Sequence, residues 1–158
     1  MTATRRILLL GALIVLAACA SGPQAGTTSV PGRGALAVEI VPNPIRATLV
    51  SGTTYDFPFE VVLRETGGRP VTVTSVTATV QLPGGFPVAR ESYDAERIRS
   101  LGYGTTVPAN GVLRYRFAPR KEVPDERLFG GVSAQLRVEG TDDSRAAASA
   151  STVVTITR

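Results

Sequence analysis

The chain has 158 residues, a formal net charge of +4 and 43% hydrophobic residues, with no histidine, no tryptophan and one cysteine, Cys19. The lack of histidine excludes Ser–His or Cys–His nucleophilic catalysis and histidine-ligated zinc, and a single cysteine excludes a disulfide within the chain. Two of the arginines, Arg5 and Arg6, belong to the N-terminal segment. The basic excess therefore gives no reason to expect a nucleic-acid partner.

The first residues have the order of a secretory signal. Arg5 and Arg6 precede an uncharged apolar run over residues 7–16, and small residues then lead to Cys19. The apolar run is shorter than the roughly 20 residues that span a bilayer. An anchor helix or a buried core helix is therefore the poorer interpretation, and we predict a signal peptide over residues 1–18.

The segment Leu16-Ala17-Ala18-Cys19 resembles the lipobox of bacterial lipoproteins, a resemblance that covers only the signal region. It implies that the chain is cut before Cys19, that the cysteine sulfur carries diacylglycerol, and that the new amino group receives an acyl chain such as palmitate. Two or three chains make a stable membrane anchor, whereas one binds only marginally. In such lipoproteins an aspartate directly after the cysteine favours retention in the inner membrane. Here that residue is Ala20, which favours the outer membrane if the cell is diderm.

Residues 19–34 comprise this cysteine and a segment rich in small residues, glycine and proline. Such a composition cannot bury enough apolar area to order itself. Fifteen such residues have a typical end-to-end distance of roughly 20 Å. We expect a flexible tether between the membrane and a domain over residues 35–158.

The domain begins with alternating apolar residues, which is typical of a half-buried strand: Leu36, Val38 and Ile40 share one face. Pro42 and Pro44 interrupt this strand, and residues 45–50 could continue it. A first strand broken by proline is predicted to cross between two sheets, because proline removes a ladder donor.

Residues 55–65 show the strongest alternation in the chain. The apolar face is predicted to be the main wall of the core and contains Tyr55, Phe57, Phe59, Val61 and Leu63. The other face carries Val62, and Pro58 there indicates an edge or a bulge.

The next strand, residues 71–82, changes phase near Thr74 and Ser75, which predicts a β-bulge. A short helix is predicted over residues 95–101, capped by Asp94 and with Ile98 and Leu101 at three-residue spacing. Further strands are predicted over residues 105–107, 112–117, 132–138 and 150–156, with a long polar loop at 118–131 and a hairpin at 140–145.

About seven short strands with turns between them and one short helix indicate an all-β, immunoglobulin-like sandwich. Residues 35–158 resemble the immunoglobulin-like domains of bacterial envelope proteins. The resemblance rests on the strand YDFPFEVVLRETGG (55–68), the short central helix and the TDD hairpin (141–143).

Candidate catalytic groups are few. The lone lysine, Lys121, would need a dry pocket to act as a nucleophile. Two carboxylate clusters could in principle serve a hydrolase, and one loop could offer calcium oxygens, but turn-like surroundings favour local hydrogen bonding. The clusters are Asp142 with Asp143, Glu122 with Asp125 and Glu126, and, for calcium, Glu139 with Asp142 and Asp143. We expect no enzyme, no metal and no cofactor.

Two surface features could bind ligands. Arg114 and Arg116 share the outward face of one strand, and Arg97 and Arg99 lie on the predicted helix; if they converge, they could bind an anionic envelope polymer. The aromatic residues outside the core pattern, Phe86, Tyr93, Tyr103 and Phe129, could stack on sugars or cover the ends of the sandwich.

The sequence therefore predicts a lipid-anchored protein of the bacterial envelope that serves as a non-catalytic structural or protein-interaction module, engaging another envelope protein through a sheet edge or end loops. The alternative is a binder of an envelope polysaccharide or anionic glycolipid. No pattern in the sequence specifies an oligomeric state.

Overall fold

A computed structural model describes residues 32–158. The predicted signal peptide, the motif Leu16-Ala17-Ala18-Cys19 and the tether up to residue 31 lie outside the described residues. Within the described part, no helix is long and apolar enough to cross a membrane.

The described residues form twelve strands, one α-helix and one 3-10 turn. In chain order they are β1 (Leu36–Val41), β2 (Ile45–Arg46), β3 (Thr48–Ser51), β4 (Thr54–Asp56), β5 (Phe59–Glu65), β6 (Val71–Leu82), β7 (Phe86–Asp94), α1 (Ala95–Ser100), β8 (Thr106–Val107), β9 (Val112–Phe117), β10 (Arg120–Glu122), the 3-10 turn Glu126–Phe129, β11 (Ser133–Asp142) and β12 (Ala147–Thr157).

The strands build two layers. One layer is the sheet β2-β12-β11-β6-β7, with β8 also paired to β6. The other layer contains the sheet β1-β5-β9 and the small sheet β10-β4-β3, which follow one another because β4 leads into β5 and β9 leads into β10. The hydrophobic core lies between the two layers. This is the predicted all-β sandwich of immunoglobulin-like type, with one short helix.

The predicted crossing of the first strand between sheets is confirmed. Ile40 of β1 pairs with Val61 in one layer, whereas Ile45 of β2 pairs in parallel with Ile156 in the other. Pro42 and Pro44 lie between the two strands. The missing N–H groups end the first ladder where the chain changes layer.

The prediction of one continuous strand over residues 55–65 is wrong. Pro58 divides it into β4 and β5, and the amide of Phe57 donates to the carbonyl of Pro119 at 3.0 Å. Val62, assigned to the outward face, is 2% exposed. It lies on the central strand of its sheet between Glu39 and Arg114 of the neighbouring strands, where long side chains cover it.

The predicted bulge in β6 is present. Ser75 pairs with Glu139 and Val73 pairs with Gly140, so Thr74 is the extra residue. Val73 and Val76 are buried on the two sides of it, because one inserted residue restores the inward phase.

Strand β7 was not predicted, since its sequence begins with Phe86 and Pro87 and shows no apolar alternation. The segment predicted as a polar loop, residues 118–131, contains β10 and the 3-10 turn. The helix is present with Asp94 as its N-cap, which accepts from the amide of Arg97 at 2.7 Å. Ile98 is buried, but Leu101 is exposed.

Candidate functional site

An apolar cavity of about 350 Å³ lies between the two layers. It occupies the half of the sandwich that contains the end of β6 and the start of β5, away from the start of β1. Its walls are almost entirely aliphatic and aromatic. They include Ile40, Phe57, Phe59, Ala78, Val80, Leu82, Phe129, Ala134, Leu136 and Ile156.

The cavity follows from side-chain size along the strands. In the first half of β6, Val71, Val73 and Val76 are fully buried against the opposite layer. In its second half the inward residues are only half-buried, and small side chains, Ala78 on β6 and Ala134 on β11, leave space between the layers. The volume lies at the lower end of the range typical of small-molecule sites, roughly 300–1,000 Å³.

A charged pair spans the two layers beside this cavity. Lys121 Nζ on β10 lies 3.2 Å from Glu91 Oε2 on β7, and Glu91 Oε1 accepts from the hydroxyl of Tyr93 at 2.7 Å. The Tyr93 hydrogen bond, aided by Lys121, lowers the pKa of Glu91. Burial and the Glu91 hydrogen bond raise the pKa of Tyr93 to about 12. Lys121 is exposed rather than enclosed in a dry pocket.

A second, more open recess of about 240 Å³ adjoins the cavity. Arg97 of α1 and Arg116 of β9 line it, together with the rings of Tyr93 and Tyr103. The guanidinium carbon of Arg97 lies 5.8 Å from the centroid of the Tyr93 ring, which is within cation–π range. Tyr93 and Pro119 line both spaces, so the apolar cavity and the basic recess share a wall.

The structure brings together only part of the predicted arginine surface. Arg97 and Arg116 meet at the recess, whereas Arg99 does not line it. Arg114 and Arg116 both pair with Glu60, the latter at 3.2 Å. These hydrogen bonds, that of Arg114 first, lower the pKa of Glu60. One carboxylate thus partly neutralises the two β9 arginines.

Most of the aromatic residues proposed as ligand contacts serve packing. Their rings contact aromatic rings of the core. The distance between ring centroids is 5.0 Å for Tyr93 and Phe117, 5.5 Å for Tyr103 and Tyr115, and 5.1 Å for Phe129 and Tyr55. Phe86 differs, with 69% of its surface exposed. Conversely, Phe57 and Phe59, predicted to fill the core, are half-buried and line the cavity.

The carboxylates proposed for calcium are engaged by protein donors. Buried Asp142 accepts from the amides of Gly34 (2.9 Å), Ser144 and Ala146 and from the Ser144 hydroxyl. The Gly34 hydrogen bond, followed by those of Ser144 and Ala146, holds the pKa of Asp142 far below its usual range. Asp143 pairs with Arg69 at 2.9 Å. Within residues 32–158, no three acidic or cysteine side chains are grouped to hold a metal.

The contact with Asp142 makes Gly34 part of the folded domain. Gly34 was assigned to the tether, but it is buried, and a Cβ there would lie 2.6 Å from Val71. Only glycine allows this close approach.

The second acidic cluster is also structural. Glu126 accepts from the hydroxyl of Tyr55 at 2.7 Å and pairs with Arg158. Asp125 caps the 3-10 turn by accepting from the amide of Arg127 at 2.9 Å. Both side chains are therefore engaged by groups of the same domain.

Glu65 is a buried structural carboxylate that the sequence did not predict. It is 3% exposed and accepts four backbone hydrogen bonds, from Ala35, Gly67, Gly68 and Asn110, at 2.6–3.0 Å. Burial opposes its ionisation, but the four donors outweigh burial and lower its pKa. Its place in the inward phase of β5, directly before a Thr-Gly-Gly turn, was the signal that could have revealed it.

Strand β7 lies at the edge of the larger sheet and, among residues 32–158, pairs only with β6. Pro87 and a bulge at Val88 make the pairing irregular at the start of the strand, and the pairing is regular from Ala89 to Asp94. Phe86 and Val88 are exposed apolar residues beside this edge. Over 89–94 the edge leaves backbone groups that another strand could pair with.

No family model and no curated protein matches the chain. Solved structures do match. The structural-genomics target SoR45 is 10% identical, with 81% of this chain and 90% of that chain covered and a TM-score of 0.50. A Bordetella pertussis protein assigned as ApaA is 13% identical, with 83% and 99% covered and a TM-score of 0.45. A CARDB domain from Pyrococcus furiosus is 13% identical, with 79% and 96% covered and a TM-score of 0.37. At such identities the first match reflects a shared fold alone.

Proposed function

We propose that this chain is a non-catalytic binding domain, held at a bacterial membrane by lipid on Cys19, that engages another envelope protein along the edge of β7. The observation that carries the proposal is the regular, unpaired edge over residues 89–94. An extended segment of a partner would add a strand there, with main-chain hydrogen bonds supplying affinity and side-chain contacts supplying specificity.

The residues around the edge suit such a partner. Arg90 and Ser92 lie on the solvent face of β7, opposite Thr79 and Thr77 of β6. Phe86 and Val88, 69% and 56% exposed, offer apolar contact next to the added strand. Pro87 and the bulge confine pairing to the later residues, because they interrupt the ladder at the start of the strand.

A non-catalytic role fits the occupied state of the carboxylates. The acidic residues considered as acid–base or metal groups include Asp142, Asp143, Asp125 and Glu126, and each is bound to a backbone amide, an arginine or a tyrosine hydroxyl of the same domain. Such groups hold the fold together and would have to break their contacts to act on a substrate.

Anchoring at Cys19 would join one end of the domain to the membrane. Leu36 at the start of β1 pairs with Glu65 at the end of β5, and Gly34 contacts Asp142 at the end of β11. The cavity and the Phe86 end of β7 lie at the opposite end of the sandwich. A tether that leaves from Gly34 would therefore be joined to the end of the sandwich opposite the start of β7 and the cavity, and would leave both free to meet a partner.

Photo-cross-linking in cells tests the edge proposal. A photoreactive amino acid at Arg90 or Ser92 should capture one envelope protein, and the same group at Arg137, on the solvent face of β11, should not. With the purified pair, hydrogen exchange should slow at residues 89–94 and stay unchanged in β12. Capture from Arg137 as well, or protection elsewhere on the domain, would rule out pairing along β7.

A further inference from the structure

We propose that the inter-layer cavity holds the single hydrocarbon chain of an anionic amphiphile, with the head group against Lys121, Arg97 and Arg116. This ligand is distinct from the protein partner proposed for β7. The sequence suggested an anionic glycolipid as an alternative ligand of the arginines, and the present proposal specifies where the chain and the head group of such an amphiphile would lie.

The cavity walls select an apolar chain. The floor is formed by buried aliphatic residues, among them Ile40, Leu136 and Ile156. The half-buried rings of Phe57 and Phe59 and the side chains of Val80 and Leu82 complete the walls. A sugar or a peptide would lose hydrogen bonds to water here without replacement, which is unfavourable, whereas methylene groups lose none.

The volume suits one chain. A cavity of about 150 Å³ accepts benzene, and the cavity here, at about 350 Å³, is more than twice as large. It is also at the lower end of small-molecule sites. One medium-length chain fills such a space, and the two chains of a diacyl lipid do not.

The charge around the two spaces selects an anion. Three basic side chains, Arg97, Arg116 and Lys121, face the cavity or the recess, against two acidic residues that line the cavity, Glu91 and Glu122. Because the cavity and the recess share Tyr93 and Pro119, a head group at the edge of the cavity beside these residues would lie next to the recess that Arg97 and Arg116 line. A carboxylate or phosphate at that point would meet a net positive surface.

The ion pair between Lys121 and Glu91 can open so that a ligand anion takes the place of Glu91. The two side chains are 60% and 37% exposed, and exposed ion pairs contribute little to stability. Lys121 can therefore leave Glu91 for a ligand anion without loss of fold, while Glu91 keeps its hydrogen bond from Tyr93.

Calorimetric titration with octanoate, decanoate and dodecanoate, below their micelle concentrations, tests chain burial. The contacts described above that build the sandwich lie within residues 34–158, so we expect a form that begins at Ala20 to keep the fold without acyl chains of its own. Each added pair of methylenes should lower Kd about tenfold, since methylene burial is strongly favourable. Affinity independent of chain length would overturn the proposal without any variant.

Ala78→Phe fills the cavity, because Ala78 faces inward opposite Leu136 and Glu91. It should weaken decanoate binding at least tenfold. Thr79→Phe is the matched control: the same side chain is added one residue further along β6, on the solvent face opposite Arg90, and Kd should stay unchanged. Both variants are checked for the wild-type circular dichroism spectrum. Equal affinity of a folded Ala78→Phe variant and the wild type would refute the cavity as the site.

Lys121→Gln and Arg97→Gln test the head group. Each should weaken decanoate binding about two- to fivefold, the range of an exposed ion pair, and leave the neutral decan-1-ol unaffected. Arg137→Gln, which removes an arginine paired with Glu139 on the far face, should change neither ligand. Equal loss for the acid and the alcohol, or no loss for either, would contradict an anionic head group at these residues.

Discussion

The amide of Ala35 donates to Glu65 Oε1 at 3.0 Å, joining the start of the first strand to the end of the central strand of the same sheet. The same carboxylate accepts from Asn110, in the turn before β9, at 2.8 Å. One side chain therefore holds three separate parts of the chain in place. Because it is buried and fully hydrogen-bonded, its loss leaves buried donors without partners.

Glu65→Gln should lower the free energy of unfolding by about 2–3 kcal/mol. The amide side chain keeps one acceptor oxygen and places an NH₂ group where the second carboxylate oxygen accepted, and hydrogen bonds to charged groups are the stronger kind. Urea denaturation measures the change. Glu39→Gln, on the exposed face of β1, is the control and should stay within about 0.5 kcal/mol of wild type. A similar small effect for both variants would contradict this role of Glu65.

The domain should lose stability in acid. The pKa values of Glu65 and Asp142 are lowered in the fold from ordinary values of 4.5 and 3.8, so the native state binds fewer protons than the unfolded state. Their stabilisation is present above the unfolded-state values and is lost as pH falls through the lower native values. Urea midpoints measured from pH 7 to 3 should fall, and less steeply for Glu65→Gln. A flat profile for the wild type would disagree with these shifts.

The domain should also lose stability in strong base. Burial raises the pKa of Tyr115 to about 12, and burial with the Glu91 hydrogen bond does the same for Tyr93, from an ordinary value of 10.0. The native state then keeps protons that the unfolded state releases. The stabilisation is present below pH 10 and declines as pH rises from 10 to 12. The hydrogen bond to Glu126 also raises the pKa of Tyr55. Tyrosinate absorbance should therefore show three groups that titrate later than a free tyrosine, and Tyr93→Phe should remove one of them.

Deletion of Thr74 should unfold the domain or reduce its stability severely. Without the extra residue, one half of β6 slips by one position, and either Val71 and Val73 or Val76 must turn from the core to solvent. Thr74→Ala keeps the bulge and removes only an exposed hydrogen bond to the carbonyl of Glu139, so it should cost less than about 1 kcal/mol. Thermal unfolding of the two variants distinguishes loss of register from loss of a side chain.

Cys19→Ser should prevent lipid attachment and move the protein from the membrane to the soluble exported fraction. The physical reason is that the remaining chain has no acyl groups to bury. Fractionation and a mass measurement of the N-terminus check the result together. A Cys19→Ser protein that stays in the membrane with its signal removed would contradict the lipid anchor.

Local periodicity was enough to predict most strands of this domain. Alternation placed β1, β9, β11 and β12, a phase change placed the bulge at Thr74, and prolines placed the crossing between layers. These features are encoded within a few residues, because strand side chains alternate with a period of two and proline removes a donor wherever it occurs. Asp94 and Ile98 likewise predicted the helix.

The binding features depended on tertiary contacts. Strand β7 forms because β6 supplies its partner, not because its own residues alternate. The cavity arises where Ala78 and Ala134, on different strands, face Phe57 and Phe59 of the other layer. Arg97 and Arg116 line the same recess, and the Asn110 amide donates to Glu65, although these residues are far apart in the chain. The sequence by itself determined most of the strands and most of the residues that face the core. Only the packing of the two layers decided where space remains between them and which charges surround it, because these distances depend on residues far apart in the chain.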